Sequence, residues 1–394
     1  MQQVDIAIVG AGMAGTTLAL ALSQRTNYKV ALIEAFEPKA QSHPGFDARA
    51  IALAQGSVQS LSKLNLWSTL APMAKAIEHI QVSDRGHMGQ VWMHADEHLV
   101  DALGQVIELE RAGPALFAKL ADTEVQLFCP DTLARCEQQQ ESVHLTLNSG
   151  AELSAKLVVG ADGGRSPLLA SMPFEPQRHD YGQTAIISNL ETSKPGTTAF
   201  ERFTDQGPIA LLPMTEDRYS LVWVCDRNKA DVVMAMDDAA FIEALQQEFG
   251  YRCGQILRAG KRHHYPLFRT HLSRPFHHRV VFVGNAAQSL HPIAGQGFNL
   301  GLRDAVTLAE CLASAQGADP GLFTLLDDYW QQRQPDVNTT LGLTHGLVKL
   351  FSNNNPFLQL GRNMGLLAMD LAPTLGQGLI RQTMGQHHQR SATW

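Results

Sequence analysis

The sequence predicts an α/β protein: a mostly parallel sheet flanked by helices, interrupted by an antiparallel sheet and closed by C-terminal helices. Three observations predict it. Apolar residues 4–9 run into Gly10-Ala11-Gly12-Met13-Ala14-Gly15 and a helical stretch at 16–23, followed by a second strand at 29–33 that ends at Glu34. A similar device stands near the other end, where the run RVVFV (279–283) feeds GNAAQSLHPIAGQGFNLGLRDA (284–305). Between the two, residues 180–225 form short apolar runs separated by Asp and Gly turns, the punctuation of an antiparallel sheet.

The elements follow in order. Residues 4–9 lack alternation, as a parallel strand buried on both faces should. Strand, glycine turn, helix and strand make a βαβ unit. Residues 46–66 are expected to be helical, with Ile51, Leu53, Val58, Leu61 and Leu64 as the buried face. Strands are expected at 80–82, 90–92 and 106–107, then a helix at 112–121. Strands at 125–128, 143–147 and 157–159 return the chain to the first sheet. The antiparallel sheet takes 184–187, 199–203, 209–212 and 219–224, and a helix follows at 238–249. Beyond 305 the chain is expected to be helical almost to a polar, frayed tail at 386–394. This divides it into a nucleotide-binding domain (1–75, 102–175 and 276–340), a substrate domain (76–101 and 176–275) and a helical C-terminal segment (341–394).

Composition narrows the function. With 394 residues the chain is longer than one typical domain, and 44% hydrophobic content gives ample core. A net charge of −7 leaves no basic field for nucleic acid. No apolar run is long enough to span a bilayer. The N-terminus shows neither a basic segment nor a cleavage site, so a cytoplasmic protein is expected. The five cysteines form no CxxC pair and are expected as reduced thiols. The sixteen histidines show no metal-ligand spacing, and His263-His264 and His277-His278 are expected as polar loop or strand-edge residues.

The chemistry gathers at three motifs. GAGMAG is GxGxxG between a buried strand and a helix. Its first Gly makes the turn, its second lets backbone approach a pyrophosphate, and its third allows close helix packing. The helix N-terminus then stabilises phosphate charge. Glu34, 24 residues after Gly10, stands where an acid accepts from ribose hydroxyls, which favours an unphosphorylated ribose in this pocket. The second motif, Gly160-Ala161-Asp162-Gly163-Gly164-Arg165-Ser166, follows another strand of the same sheet and offers a carboxylate to hydroxyls. The third is 284–305.

In this order and spacing the three motifs resemble the FAD-dependent aromatic hydroxylases of the p-hydroxybenzoate hydroxylase class. Segments 46–67, 102–109 and 200–214 resemble the ubiquinone-biosynthesis branch of that class, in particular the hydroxylases of 2-octaprenyl-6-methoxyphenol. The resemblance covers nearly the whole chain. It implies a Rossmann-like FAD-binding domain of the p-hydroxybenzoate hydroxylase type, with the antiparallel sheet as an inserted substrate domain. Gly10, Gly12, Ala14, Gly15 and Glu34 would hold the ADP half of FAD, and Arg49 would reach the cofactor from the loop after the second strand. Asp162 would sit near FAD and the nicotinamide donor, and Gly284 and Asn285 would meet the ribityl chain. Pro292, Gly295 and Gly297 would shape the loop beside the isoalloxazine ring, where oriented amides and the helix starting near Asn299 stabilise negative charge. Three positions depart from the wider pattern: Asn285 stands for a frequent Asp, Gln288 for a frequent His, and Leu169 for the usual Arg.

The implied reaction is a monooxygenation. NADPH or NADH reduces FAD, and reduced flavin activates O2 for transfer of one oxygen to an electron-rich ring. The implied substrate is a polyprenylated phenol. Phe203, Leu212 and Trp223 are its expected lining, and His291 is a candidate to polarise the phenol, though a structural role is the simpler reading. Implied partners are a ubiquinone-biosynthesis complex and, at most, peripheral contact with the inner membrane. A sister hydroxylase acting at another ring carbon, a flavin reductase, and an FAD-stabilised assembly subunit are the rival readings.

Overall fold

The computed structural model describes residues 1–38, 49–164, 166–315, 317–351 and 385. Strand Gln2–Val9 is central in the first sheet. It pairs in parallel with Val30–Ile33 on one side (Ile6↔Val30) and with Glu152–Gly160 on the other (Ile6↔Leu157). The parallel order continues to Gln126–Phe128 beyond Val30–Ile33 and to Val280–Phe282 beyond Glu152–Gly160. An antiparallel hairpin, Leu133–Gln138 with Val143–Leu147, extends the sheet along the lower part of Glu152–Gly160.

The unbroken apolar run at 4–9 follows from this position. Ile6 and Ile8 point into the core under helices Met13–Arg25, Gln296–Ser314 and Phe323–Phe351, while Val4, Ala7 and Val9 point to a second core with Val143, Leu145 and Phe282. Both faces are covered, so both need apolar side chains.

The second sheet runs in the order Gln288–Ser289, His263–His271, Gln177–Thr192, Arg218–Asp226, Pro208–Pro213, Thr198–Phe203, His79–Asp84 and Gln90–His94. Its pairs are antiparallel except Thr198–Phe203 with His79–Asp84. Helices Arg227–Ala235 and Asp238–Phe249 cover one face and bury Ile186, Leu211, Trp223, Phe241 and Phe249 together. The other face turns toward the first sheet. The sheet's terminal strand, Gln288–Ser289, comes from inside the 284–305 segment, so the two sheets are fastened at the site described below.

One expectation needs correction, and one helix was missed. Residues 46–66 do not form one helix: Ala50–Ala54 is a strand paired with Gly104–Glu108, and the helix is Gln55–Lys63, with 46–48 outside the described residues. Ile51 and Leu53 were spaced for a strand, at period two. Helix Arg227–Ala235, capped by Asp226 through Lys229 N–H at 2.9 Å, went unread because apolar and charged residues mix along it. The C-terminal part is helical as expected over Phe323–Phe351, which passes through position 341 without a break; 352–384 and 386–394 lie outside the described residues.

Candidate cofactor and active site

Four turns leave the carboxyl ends of the parallel strands side by side: Gly10, Glu34, Ala161-Asp162 and Gly284. In an open α/β sheet this edge is where ligands bind. A cleft of about 510 Å³ opens there, lined by Gly10, Gly12, Ala14, Glu34, Asp162, Gly284, Asn285 and Gly297, among others.

Backbone crowding locks the motifs together. Gly10 has φ +101°, and a Cβ on it would lie 2.7 Å from the Ala161-Asp162 backbone. A Cβ on Gly15 would lie 1.9 Å from the Gly10 carbonyl, so Gly15 lets the helix sit against the turn and does not line the cleft. Gly12 differs: a Cβ there meets nothing within 4 Å. It caps helix Met13–Arg25 without any side-chain cap, so the orphan amides of the first turn face the cleft. Glu34 closes the turn from the side, accepting from Ala11 N–H at 2.5 Å and Phe36 N–H at 3.1 Å.

Asp162 is the polar anomaly of the cleft. Both carboxylate oxygens are buried and find no hydrogen-bond partner among the described residues. Burial pushes its carboxyl above the usual range; the Ser166 hydroxyl and backbone amides lie near enough to oppose that shift but not to complete a hydrogen bond. A carboxylate held dry and unpartnered suits a ligand that brings hydroxyl groups.

On the ring side, Pro292 leads into two successive left-handed residues, Ala294 (φ 56°, ψ 16°) and Gly295 (φ 60°, ψ 24°), and then into helix Gln296–Ser314, again without a side-chain cap. A left-handed alanine costs about 1–2 kcal/mol, so the surroundings must impose it. Asn299 is one such constraint. It donates to Gly295 O at 2.8 Å and Ala52 O at 2.9 Å, and accepts from Ala54 N–H at 2.8 Å and the Ser57 hydroxyl at 2.7 Å. Its side chain is thus fully engaged within the protein; it shapes the loop and is not a free cofactor ligand.

The other expected site residues fall in different places. Asn285 is exposed into the cleft. Pro292 and Gly295 belong to the loop but do not line the cleft itself. Arg49 also stands off the cleft: it is exposed, 3.9 Å from Glu110, and follows residues outside the described part. His291 is fully buried. Its Nδ1 accepts from Ile293 N–H and its Nε2 donates to Gln183 Oε1, both at 3.3 Å, and burial lowers its pKa to about 4. It is a neutral structural histidine, so the polarising role does not hold. Trp223 is 1% exposed and packs on Phe241 under the outer helices, on the face away from the cleft, so it lines no substrate path. Phe203 and Leu212 lie on the inward face, Phe203 beside Ile293 of the ring-side loop and Leu212 beside Ala50 and Ala52.

Sequence reasoning missed the support under the 284–305 turn. Asp304 accepts from Gly284 N–H at 3.1 Å, from the Gln288 amide and from Arg333 Nε at 2.8 Å. Arg333 also donates to Asp336 at 2.7 Å, and Arg303 reaches the same carboxylate at 2.8 Å. The only signal was charge at core-facing positions of two helices.

Comparison with known proteins bears on this geometry. A family described as FAD binding domain matches residues 3–342. The ubiquinone hydroxylase UbiL of Rhodospirillum rubrum is 34% identical over 97% of this chain and 89% of its own. The 3-demethoxyubiquinol 3-hydroxylase of Escherichia coli is 31% identical over 98% and 99%. The chain belongs to the family of FAD-dependent hydroxylases. The crystal structure of p-nitrophenol 4-monooxygenase PnpA from Pseudomonas putida superposes with a TM-score of 0.80 over 98% of this chain and 99% of its own, at 16% identity, which shows a shared fold.

This chain is therefore a flavoprotein monooxygenase, and its cleft fits FAD. The bare Gly12 approach, the uncapped amides of two helices and the unpartnered Asp162 are the features a nucleotide with phosphates and a ribityl chain requires. Bound there, FAD would supply the redox chemistry. The residues contribute shape, fixed dipoles and exclusion of water.

Proposed function

We propose that this monooxygenase hydroxylates the ring of a polyprenylated phenol on the way to ubiquinone, with 2-octaprenyl-6-methoxyphenol as substrate, O2 as co-substrate and NADPH or NADH as donor. The observation that carries the reading is the 34% identity to a ubiquinone hydroxylase over 97% of the chain, a span that includes the substrate sheet as well as the FAD motifs. The inward face of that sheet, with Phe203, Leu212 and the ring-side loop, supports an apolar aromatic ligand beside the flavin.

In this reading Gly10, Gly12, Ala14, Gly15 and Glu34 serve the ADP half, and Asp162, Gly284 and Asn285 serve the ribityl chain. Pro292, Gly295 and Gly297 set the ring-side backbone, and Asn299 acts through that loop. The N-terminal and C-terminal parts of the parallel sheet make one FAD domain, and residues 76–101 and 176–275 the substrate domain. Among the described residues no helix is long and apolar enough to cross a membrane. Delivery of a prenylated substrate then requires peripheral contact with a membrane or a partner protein.

Deletion of the gene followed by mass spectrometry of quinone intermediates tests the reading. Accumulation of 2-polyprenyl-6-methoxyphenol supports it. Accumulation of a later, demethoxylated intermediate assigns another ring carbon, as the Escherichia coli relative's name suggests for that protein. Unchanged quinone content overturns it.

A further inference from the structure

Residues 249–303 contain eight Lys and Arg and no Asp or Glu, in a chain whose net charge is −7. Part of this positive stretch is strand His263–His271 of the second sheet, which pairs with Gln177–Thr192. Arg269 stands opposite His179 in that pairing and His271 follows two residues on, so the three side chains share one face. His179 meets Tyr181 and His345 edge-on, at 5.0 and 5.2 Å between ring centroids. The Tyr181 hydroxyl donates to His345 Nδ1 at 3.4 Å. The Tyr181 ring stands edge-on to His291 at 5.2 Å and packs with Ile293. The face is therefore the inward one, and it adjoins the ring-side loop.

Arg269 is the anomaly of this group. Its guanidinium makes no hydrogen bond and no ion pair among the described residues, and its Nε is buried. His271 Nδ1 is likewise buried without a partner among them. Asp180, the acid beside His179 in sequence, is held by Arg227 at 2.6 Å. Burial, and then the charge of Arg269, holds His271 and His345 below the ordinary histidine range, and Lys349 and His179 add to the effect at His345. No negative charge acts on either histidine. A half-buried arginine without a counter-ion costs stability unless an anion completes it. The group is open to solvent: His179 and Lys349 are exposed, and Tyr181, Arg269, His271 and His345 are half-buried.

On the reading that NADPH or NADH reduces the flavin, we propose that Arg269, with His179 and His345 beside it, binds a phosphate group of the donor. A guanidinium matches phosphate by paired, charge-assisted hydrogen bonds. A pyridine dinucleotide carries its pyrophosphate one ribose away from the nicotinamide ring. A donor whose ring meets the flavin at the ring-side loop brings its phosphates to the adjoining surface, which is where the Arg269 group lies. No second GxGxxG follows a strand to cradle such a nucleotide. A donor that arrives and leaves in every turnover is suited by side chains at an open surface. The site makes and breaks no covalent bond; it positions the donor.

The test follows anaerobic reduction of the bound flavin by absorbance in wild-type, R269M and R269K holoenzymes. The donors are NADPH, NADH and 1-benzyl-1,4-dihydronicotinamide, which carries no phosphate. R269M should raise the NADPH or NADH concentration for half-maximal reduction about 10- to 100-fold with little change in the maximal rate. Reduction by the phosphate-free donor should match wild type, and R269K should recover part of the loss. Inorganic pyrophosphate should compete with the donor in wild type and not in R269M. Because the guanidinium has no partner to lose, R269M apoprotein should melt no lower than wild type. A loss confined to NADPH puts the 2′-phosphate at Arg269, and a loss with both donors puts the pyrophosphate there; either supports the inference. Unchanged half-saturation, or equal slowing with the phosphate-free donor, overturns it. So does an R269M that keeps its donor affinity but no longer cosediments with phosphatidylglycerol vesicles, which assigns the anion to a lipid headgroup. A wild-type flavin reduced by the phosphate-free donor but by neither NADPH nor NADH overturns the donor reading, and the inference with it.

Discussion

Arg333 donates through Nε to Asp304 Oδ1 at 2.8 Å, with both side chains 2% exposed. The contact joins the C-terminal helix to the helix that starts at the ring-side loop, and Asp304 in turn holds Gly284 N–H at the turn beside the cleft. A buried pair of this kind gives little net stability over an apolar pair, but loss of one partner leaves an uncompensated charge. R333M should lower stability by about 3–5 kcal/mol, measured by denaturant unfolding of the holoprotein. The double variant R333M/D304L should recover a large part of that loss. If R333M, D304L alone and the double variant are equally destabilised, the charge argument fails.

Gly12 gives a cleaner test of the cleft, because a Cβ there meets no protein atom within 4 Å. G12V should therefore fold with a near-normal melting temperature as apoprotein yet bind FAD at least about tenfold more weakly, since the added methyls occupy the approach to the pyrophosphate. FAD titration followed by fluorescence quenching, paired with apoprotein melting, separates the two effects. A variant that retains full FAD affinity places the phosphates elsewhere.

Asn299 is expected to act through the loop. N299A removes both donors and both acceptor contacts, leaving the Ala54 N–H and Ala52 and Gly295 carbonyls to find other partners. A loss of about 2–4 kcal/mol in stability should accompany a fall in product formed per donor oxidised. N299D retains the acceptor for Ala54 and Ser57 but cannot donate to Gly295, so it should fold better than N299A while still wasting donor. Full coupling efficiency in N299D would show that the Gly295 contact is dispensable.

How far the sequence reveals this arrangement depends on where each constraint lies. Gly10, Gly12, Glu34 and Asp162 are legible because each follows its strand directly, and the strand's burial on both faces is written in the local run of apolar residues. Arg333 and Asp304 are not legible, since their pairing depends on how two helices cross. Trp223 misled for a related reason: both faces of the substrate sheet are covered, so alternation separates the faces without saying which one meets the cleft. The strand Ala50–Ala54 was hidden because alternating Ala with Ile and Leu also suits a helix, and its partner Gly104–Glu108 lies some fifty residues on.

The last prediction concerns pH. Burial holds His291 neutral, with a pKa of about 4 in the folded protein against an ordinary value of 6.5. Between those values the unfolded chain binds a proton that the folded protein does not, so stability must fall as pH drops from about 6.5 to 4 and level off below. A difference of this size corresponds to about 3 kcal/mol over the window. H291Q removes the titrating group but keeps a polar side chain toward Gln183 and the Ile293 N–H. It should be less stable than wild type near pH 8, where wild type loses nothing to this group, and the gap should narrow as pH falls toward 4. Denaturant unfolding of both proteins at pH 4, 5, 6.5 and 8 measures the gap directly. A gap that stays constant across the series would mean that His291 takes up its proton in the folded protein without penalty, and the neutral structural role assigned to it beside the ring-side loop would have to be withdrawn.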